Sequence, residues 1–430
     1  MEPNHNDGIL LQEGRLSIRY EDKAQDCLCR VTFDITRKFH VVIDSLESVH
    51  ELLGGPLWFQ SERKFQVLVP GTIKPLDCEI HGSVRQQVAG DDPNVYPSFM
   101  VLGNSTLVDH GVPLYNASAA IPNFAVRHFP SSASISLADG NWVFELIPVD
   151  DSRLVYPPNI QNELYKITHH LLLRRKNGAS FSSGDARDAL YTLSTFLSFC
   201  AEQWTAPVLV TGFDQSGRTA MQEWGTALVD SGKGHSGWLD EHYGAVIADV
   251  FPGFSNLMQD DEWRKTIRTA VYWYVRSDTN SVGPDGAIVL VQAALERLAW
   301  HILIKVRRAI SEDGFSRLAA ADQLRLVLNA CSIPSELPGV LVELGSAAKA
   351  ENWADGPKAF VAVRNQIVHP VKRQKVKGGR AFFEALQLGK WYLELILLKS
   401  FRFNGDYACR LNIPRWVGSV EPVPWAKATI

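Results

Sequence analysis

The chain has 430 residues, of which 46% are hydrophobic and 21% are charged, and its formal net charge is −4. Such a composition excludes a mostly disordered chain, and the length suggests two or three domains of about 150 residues each. No uninterrupted apolar run approaches the roughly 18 residues that span a bilayer. The N-terminus lacks the basic start and apolar core of a signal peptide.

The cysteines indicate a reducing environment. There are six in the chain, and no two of them form a C-x-x-C pair. Cys27 and Cys29 alternate within a strand-like run, which favours a half-buried strand over half of a metal site. The sequence therefore predicts a cytoplasmic protein without disulfides, with no membrane partner, no metal and no cofactor.

The N-terminal part, residues 1–157, is predicted to be a β-rich domain. Strand-forming runs at 29–35, 39–43, 65–69 and 142–147 are separated by segments rich in proline, glycine, asparagine and aspartate. Short strands at irregular spacing indicate a sandwich or a compact barrel. No nucleotide-binding glycine motif or catalytic elbow occurs in this part, and we expect it to act as a sensor or regulator.

Residues 158–281 are predicted to be a mixed α/β segment. A helical periodicity at 159–176 is followed by an Asn-Gly pair, which is a typical helix stop. Two further helices are expected at 183–204 and 260–276, each with apolar residues on one face.

Residues 286–402 are predicted to be an all-α bundle, which makes the fold class of the whole chain α+β. The loops between its helices are short, so neighbouring helices are expected to pack antiparallel. Residues 403–430 are predicted to form an extended strap packed on the body of the protein. The expected helices of the bundle cover 287–310, 315–331, 338–349, 357–368 and 380–401.

Charge is distributed unevenly along the chain. Residues 286–430 contain 20 lysines and arginines against 12 aspartates and glutamates, a net charge of +8, whereas the first 285 residues have a net charge of −12. A basic helical part attached to an acidic remainder is typical of proteins that bind a polyanion. The whole-chain value of −4 conceals this asymmetry.

The most informative stretch lies at the end of the fourth predicted bundle helix, from Ala362 to Pro370 (A-V-R-N-Q-I-V-H-P). Pro370 disfavours helical geometry at His369, so the helix is expected to end there. Asn365 and His369 are four residues apart and share a helix face. The long side chain of Arg364 can reach the same point, so three polar groups are expected to converge at a helix end.

These three groups suit the cleavage of RNA by its own 2′-hydroxyl. An arginine presents a permanent, planar positive charge to phosphate, and a histidine can transfer a proton near neutral pH. The reaction needs charge stabilisation on the phosphorane and proton transfer at the attacking or leaving oxygen, and it needs no metal. The dipole at a helix C-terminus favours the imidazolium form, as a general acid requires.

The spacing of Arg364 and His369 resembles the R-x4–6-H signature of the HEPN superfamily (higher eukaryotes and prokaryotes nucleotide-binding), and the helical context over residues 286–402 is similar too. This resemblance implies a helical bundle that dimerises, so that two motifs form one composite site. Many members are metal-independent ribonucleases of toxin or phage-defence systems. The order of a β-rich part followed by a helical domain is similar to ApeA-like phage-defence proteins.

Each residue of the expected site has a predicted role. Arg364 would stabilise the phosphorane, His369 would act as general acid or base, and Asn365 would orient the phosphate or the imidazole. Glu296, on the first bundle helix, is expected to be partly buried and to support Arg364, although Arg297 is an alternative partner. A basic run before the last helix is expected to hold the RNA backbone and consists of Lys372, Arg373, Lys375, Lys377 and Arg380.

Three hypotheses for the function follow. The first is a homodimeric endoribonuclease that cleaves RNA, possible substrates including tRNA, and leaves a 2′,3′-cyclic phosphate. Its N-terminal part would restrain the nuclease until a phage or regulatory protein binds to that part. The second is an inactive HEPN module that binds RNA, a nucleotide or a protein, with Arg364 in a structural ion pair to Glu296 and His369 bonded to a helix carbonyl. The third is a small-molecule hydrolase in the β-rich part, where no nucleophile–base signature is present.

Overall fold

The computed structural model of the chain forms two compact units. The first comprises residues 1–125, 141–191 and 205–233, and the second comprises residues 126–140, 192–204 and 234–430. β-Strands dominate the first unit and α-helices dominate the second. The structure describes residues 8–35, 40–49, 52, 64–70, 72, 74–80, 85–88, 93–124, 126, 134–149, 166–225, 228–231, 237–240, 242–278, 282–369, 376 and 379–428.

A closed barrel forms the first part of the first unit. The strands that begin the chain are β1 (Ile9–Tyr20), β2 (Lys23–Asp34), β3 (His40–Ser45), β4 (Lys64–Leu68), β5 (Leu76–Ile80), β6 (Arg85–Val88), β7 (Pro93–Tyr96) and β8 (Ser98–Val101). The barrel order is β1-β2-β3-β8-β5-β4, with β4 pairing back to β1, and β6 and β7 form a separate hairpin. Every second residue faces the interior, as Cys27, Cys29, Val31 and Phe33 do at 0% exposure. A compact barrel is one of the two architectures that the strand spacing predicts.

A second antiparallel sheet belongs to the same unit. Further along the chain are β9 (Asn104–Asp109), β10 (Asn116–Pro122), β11 (Ile135–Ala138), β12 (Trp142–Pro148), β13 (Ile167–Arg175), β14 (Val208–Phe213) and β15 (Thr219–Gly225). The strands of this sheet within the first unit follow the order β12-β13-β10-β14-β15-β9, whereas β11 lies in the second unit. Helix α1 (Ser183–Ala201) runs from the first unit into the second.

The helix predicted at 159–176 is wrong where the structure describes this stretch. Strand β13 occupies Ile167–Arg175 and pairs with β10 on one side and β12 on the other. Leu171 and Leu173 are buried, whereas Leu172 is 41% exposed, so the burial alternates with the period of a strand. Three consecutive leucines fit a helix as well as a strand, and the pairing with two neighbours decides between them.

The second unit is mainly helical, and each helix predicted for the bundle has a counterpart in it. Its helices are α2 (Val246–Met258), α3 (Asp261–Arg276), α4 (Gly283–Trp300), α5 (Glu312–Ser316), α6 (Ala320–Ala330), α7 (Val342–Ala350), α8 (Gly356–Val368) and α9 (Gly379–Ser400). The second predicted helix is divided into α5 and α6, and a π-helical segment, His301–Val306, continues α4. Residues 388–398 of α9 are all buried, so other elements surround this helix.

Helix α4 and its π-helical continuation form one segment, Gly283–Val306, that is long and apolar enough to cross a membrane by length and composition alone. Glu296 and Arg297 interrupt the segment, so the criterion of an uninterrupted apolar run does not detect it. Of its apolar window, 67% is buried inside the protein. The segment is therefore a core helix of the second unit.

The C-terminal residues 403–428 pack against the helices of the second unit. Tyr407 and Arg410 are each 1% exposed, and Trp425 Nε1 donates a hydrogen bond to the Phe403 carbonyl at 2.7 Å. Two short strands, β16 (Asp406–Tyr407) and β17 (Glu421–Pro422), pair with each other, and a 3-10 turn (Pro424–Ala428) follows. The predicted boundary at 157/158 lies outside the described residues.

Candidate functional site

Helix α8 contains Arg364 and Asn365, and His369 directly follows its last residue. Local contacts fix where this helix begins and how it packs. Asp355 caps it by accepting a hydrogen bond from the Lys358 backbone N–H at 2.9 Å. Phe360 packs on Gly389 of α9, where an added Cβ would lie 2.5 Å from the phenyl ring. The missing side chain at Gly389 therefore allows the two helices to approach closely at the turn before the motif.

The C-terminal end of α8 exposes the histidine. The helix ends at Val368, and His369 has extended backbone angles of φ −114° and ψ 138°, as the following proline predicts. The His369 N–H still donates to the Asn365 carbonyl at 3.0 Å. Both side chains are exposed, so the imidazole lies in solvent beside the negative end of the helix dipole.

Arg364 is half-buried and retains unused hydrogen-bond donors. Its Nη1 donates to Asn365 Oδ1 at 3.1 Å, whereas its Nε is buried without an acceptor. No ion pair to Arg364 is formed in the described part of the chain. Because an unsatisfied buried N–H costs free energy, an anion that supplied the acceptor would bind here favourably.

Glu296 is half-buried, as the sequence predicts, but its hydrogen-bond donor is not an arginine. Its Oε1 accepts from Gln292 Nε2 at 2.8 Å, one turn earlier on α4. Among the residues that the structure describes, no ion pair joins Glu296 to Arg364 or Arg297. The structural ion pair considered as the alternative role of Arg364 is therefore not formed there.

One residue of the predicted RNA-binding run is described by the structure. The Arg380 side chain is 69% exposed, and its Nε donates to Glu384 Oε1 at 3.2 Å. Within the run, Val376 is 2% exposed, and both its backbone N–H and its carbonyl are bonded to the side chain of Gln366. The other predicted members lie outside the described residues: Lys372, Arg373, Lys375 and Lys377.

The motif thus supplies two kinds of chemistry at one helix end. Arg364 and Asn365 form a hydrogen-bonded pair that suits an oxyanion, and the exposed His369 suits proton transfer. No hydrogen bond joins the His369 side chain to either of them within the described ranges. Over the same ranges, no group of three or more His, Cys, Asp or Glu side chains is placed to hold a metal ion.

A buried charged cluster in the second unit was missed by the sequence analysis. Glu202, after the end of α1, accepts hydrogen bonds from Lys390 Nζ and Arg410 Nη2, both at 2.8 Å. Arg410 Nε also donates to Glu394 Oε2 at 3.0 Å, and the Tyr274 hydroxyl donates to the same carboxylate. These five residues, the Glu202–Arg410 cluster, are each at most 1% exposed. Lys390 and Glu394, four apart in the otherwise apolar stretch 388–398 of α9, are the signal that the sequence contains.

The two carboxyl groups of the cluster titrate differently although they share Arg410. Burial alone would raise the pKa of Glu202, but the charges of Arg410 and Lys390 outweigh it and hold this pKa well below its usual range. Burial raises the pKa of Glu394, which Arg410 offsets only in part. Glu202 has a second cation beside it, and Glu394 does not. Because these side chains have almost no access to solvent, the cluster is a structural network.

Much of this chain is similar in sequence to a prophage protein and to two domain families named after it. Residues 120–235 match the YopA central domain, and residues 260–421 match the YopA C-terminal domain, a range that includes the motif. The chain is 29% identical over 262 residues to the SPbeta prophage-derived uncharacterized protein YopA of Bacillus subtilis (strain 168). This match covers 61% of the chain and 58% of the relative's length. No solved structure matches.

Proposed function

We propose that this chain is a metal-independent endoribonuclease of the HEPN type, whose helical bundle contains the active site. The main support is Arg364, a half-buried arginine without an ion pair in the described ranges and with a buried Nε that lacks an acceptor. It lies at the end of α8 near an exposed histidine, in the part of the chain with a net charge of +8. These are the properties that recognition of a phosphodiester requires.

In the proposed reaction, the 2′-oxygen of the RNA attacks the adjacent phosphorus while the bond to the 5′-oxygen breaks. Arg364 stabilises the negative charge of the phosphorane, and His369 transfers a proton at the attacking or leaving oxygen. The proton lost from the 2′-hydroxyl is balanced by one gained at the 5′-oxygen, giving a 2′,3′-cyclic phosphate and a 5′-hydroxyl. Asn365 orients the guanidinium through its 3.1 Å hydrogen bond. Glu296 has no step in this mechanism, because it bonds to Gln292.

We propose that the active form is a homodimer in which two motifs face each other. One chain supplies one Arg–His pair, whereas the reaction uses both an acid and a base. Val368, at the end of α8, and Phe383, in the first turns of α9, are 43% and 40% exposed. Apolar side chains on either side of the basic run support a contact with a second copy.

The cellular setting that we propose is phage defence or a toxin system in the cytoplasm, with RNA, and tRNA in particular, as the substrate. The similarity to a prophage-derived protein supports a phage-related setting. The acidic N-terminal part is proposed to restrain the nuclease until a phage or regulatory protein binds to it. Restraint of a basic site by an acidic part is electrostatically favourable.

The test compares wild-type protein with Arg364→Ala and His369→Ala on end-labelled RNA in the presence of EDTA. His110→Ala serves as the matched control, because this exposed histidine lies outside the motif. We expect cleavage by wild type and the control, and a loss of about 100-fold or more in both motif variants. Equal rates for all four proteins would contradict the assignment.

The second candidate function is an inactive HEPN module that binds RNA, a nucleotide or a protein partner. It is favoured by the position of the His369 side chain, which makes no hydrogen bond to Arg364 or Asn365 among the described residues. Saturable RNA binding by wild-type protein without cleavage, and without toxicity on expression, would support this candidate over the nuclease.

A further inference from the structure

An exposed apolar loop near the end of the chain, residues 412–420, has no part in the reaction proposed above. Its sequence is N-I-P-R-W-V-G-S-V. We propose that this segment, the 412–420 loop, binds the surface of a lipid bilayer that contains anionic lipids, with its apolar side chains inserted at the depth of the headgroups. This inference does not depend on nuclease activity.

Large apolar side chains cover the tip of the loop. Four of them are exposed by 42–74%: Ile413, Trp416, Val417 and Val420. Tyr243, which is 44% exposed, belongs to the same surface, because a Cβ on Gly418 would lie 3.4 Å from its hydroxyl oxygen. Exposed apolar residues that occur singly need no explanation, whereas several that lie together indicate a surface that binds something.

The two ends of the loop are fixed to each other. Strands β16 and β17 pair on either side of it. The Tyr407 hydroxyl donates to Glu421 Oε1 at 3.1 Å, and Asn412 Nδ2 donates to the other oxygen of the same carboxylate at 3.3 Å. The base of the loop is therefore held, while its apolar tip stays in solvent.

The loop is also tied to residues 237–240, and these contacts turn its charge inwards. Arg415 is the one charged residue of the loop, and its Nη1 donates to the Gly237 carbonyl at 2.7 Å. The Gly418 N–H donates to Asp240 Oδ2, also at 2.7 Å. The Asp240 side chain is only 9% exposed. The surface of the loop is therefore apolar at its tip, with the nearby charges bonded to the protein.

The backbone hydrogen bonds of the loop favour lipid over a protein partner. The Trp416 N–H donates to Ser419 Oγ at 3.1 Å, and the Ser419 N–H donates to the Trp416 carbonyl at 2.9 Å. The Val420 N–H donates to the Gly418 carbonyl at 2.8 Å. A bilayer offers no partners to backbone groups in its apolar region, so an inserted segment has to bond them internally. A protein partner would supply hydrogen bonds of its own.

Residue types and charge agree with this choice. Tryptophan and tyrosine combine an apolar ring with a polar group, and both are enriched where a bilayer meets water. Residues 286–430 have a net charge of +8, opposite in sign to the anionic surface of a cytoplasmic leaflet. The sequence predicts no membrane partner because it lacks an uninterrupted spanning run, but a loop that inserts at the interface needs no such run.

The test is cosedimentation of the full-length protein with lipid vesicles. One set of vesicles contains phosphatidylglycerol and phosphatidylethanolamine in equal parts, and the other contains phosphatidylcholine alone. Trp416→Ser and Val417→Asn each remove an apolar side chain from the tip. Val342→Asn is the matched control, because Val342 of α7 is 63% exposed, close to the 59% of Val417, and lies outside the loop.

We expect wild type and Val342→Asn to bind the phosphatidylglycerol vesicles, and to bind them more weakly as the salt concentration rises. Binding to phosphatidylcholine should be weaker. Trp416→Ser should reduce binding by about tenfold or more, and Val417→Asn by a smaller factor, because the free energy of insertion follows the apolar area removed from water. Thermal unfolding should match wild type in all variants, since the substituted side chains are exposed.

Three results would overturn the proposal. The first is wild-type protein that does not sediment with either kind of vesicle. The second is equal binding by wild type, Trp416→Ser and Val417→Asn, because charge alone would then explain the binding. The third is a lower mass of Trp416→Ser than of wild type by light scattering without lipid, because the loop would then cover a second copy of the chain.

Discussion

Arg410 donates hydrogen bonds to several side chains in the interior of the second unit, among them Glu202, Glu394 and Gln387. Its own side chain has 0% exposure, and so has that of Glu394. Removing two or more charges from water costs several kcal/mol per ion, and only good geometry with additional hydrogen bonds offsets this cost. The hydroxyl of Tyr274 and the ammonium of Lys390 supply such bonds here.

At the residue scale, Arg410→Ala should lower the free energy of unfolding by about 3–5 kcal/mol, because it leaves two buried carboxyl groups without their shared cation. Denaturant unfolding followed by circular dichroism measures this change. Arg218→Ala is the control, since that arginine is 82% exposed and its pair with Asp214 is screened by solvent. Equal loss of stability in the two variants would contradict the structural role of the cluster.

The Glu202 carboxyl gives the protein a pH dependence of predictable sign. Burial opposes its ionisation, but Arg410 and Lys390 hold its folded pKa below the ordinary value of 4.5. Its contribution to stability is therefore complete well above pH 4.5 and is lost as the pH falls through the folded pKa, because the unfolded chain binds the proton first. Unfolding curves at stepped pH should show a steeper acid loss for wild type than for Glu202→Gln. Parallel curves would exclude this contribution.

What could be predicted at the residue scale depended on distance along the chain. Arg364, Asn365 and His369 lie within six residues, so helical spacing and the following proline indicate their arrangement without further information. Glu202 and Arg410 are 208 positions apart, and no local pattern relates them. The hydrogen bonds between the Gln366 side chain and the Val376 backbone could not be predicted for a different reason. An amide side chain on a helix surface has many equivalent hydrogen-bonding partners.

At the scale of the element, helix α7 depends on a carboxylate from another helix. Its N-cap residue, Leu341, has no side chain that can accept a hydrogen bond, and Glu384 of α9 accepts from the Leu344 N–H instead. Glu384→Ala should therefore lower the free energy of unfolding by about 1–2 kcal/mol, as loss of an N-cap does. Glu384→Gln should cost less, because an amide oxygen still accepts.

Thermal unfolding of these variants can be compared with Glu343→Ala, which removes an exposed carboxylate from the first turn of the same helix. That substitution should have the smaller effect, since it alters only the interaction with the helix dipole. If Glu343→Ala destabilises the protein as much as Glu384→Ala, the Glu384 carboxylate does not cap α7.

Helices and strands whose ends are marked by local start and stop signals could be predicted from the sequence. Those whose secondary structure is determined by pairing with distant strands could not. Asp355 at the N-cap and the proline after His369 mark both ends of α8 in the sequence. Strand β13 has no such mark, because its three leucines fit both periodicities. The position of β13 between β10 and β12 is a long-range property, and it overrides the local helical pattern.

At the scale of the whole molecule, the β-rich N-terminal part and the helical C-terminal part follow from composition and turn signals. The uneven charge follows from counting along the chain. The extent of the second unit could not be predicted from the sequence, because residues 126–140 and 192–204 belong to it although they are distant from its other residues along the chain. These segments pack with the helices through contacts such as Ser255 with Asp139, at 2.5 Å, which no local pattern indicates.

The proposed homodimer makes a prediction at this scale. Light scattering should give twice the chain mass of 47.9 kDa, and Phe383→Asp should shift the protein to monomer and reduce cleavage together. Tyr272→Asp, a change at an exposed aromatic side chain of α3, is the control and should leave the mass unchanged. A strictly monomeric protein with full activity would rule out the composite site.

We propose that Arg364 and His369 cleave RNA through attack of its own 2′-hydroxyl. The most direct measurement compares an RNA substrate with the same RNA containing a single 2′-deoxynucleotide at the mapped cleavage site, in EDTA, using wild type and His369→Ala. We expect wild type to cleave only the all-RNA substrate, leaving a 2′,3′-cyclic phosphate, and His369→Ala to cleave neither. Cleavage of the deoxy-substituted substrate at the same site, or unchanged cleavage by His369→Ala, would contradict it.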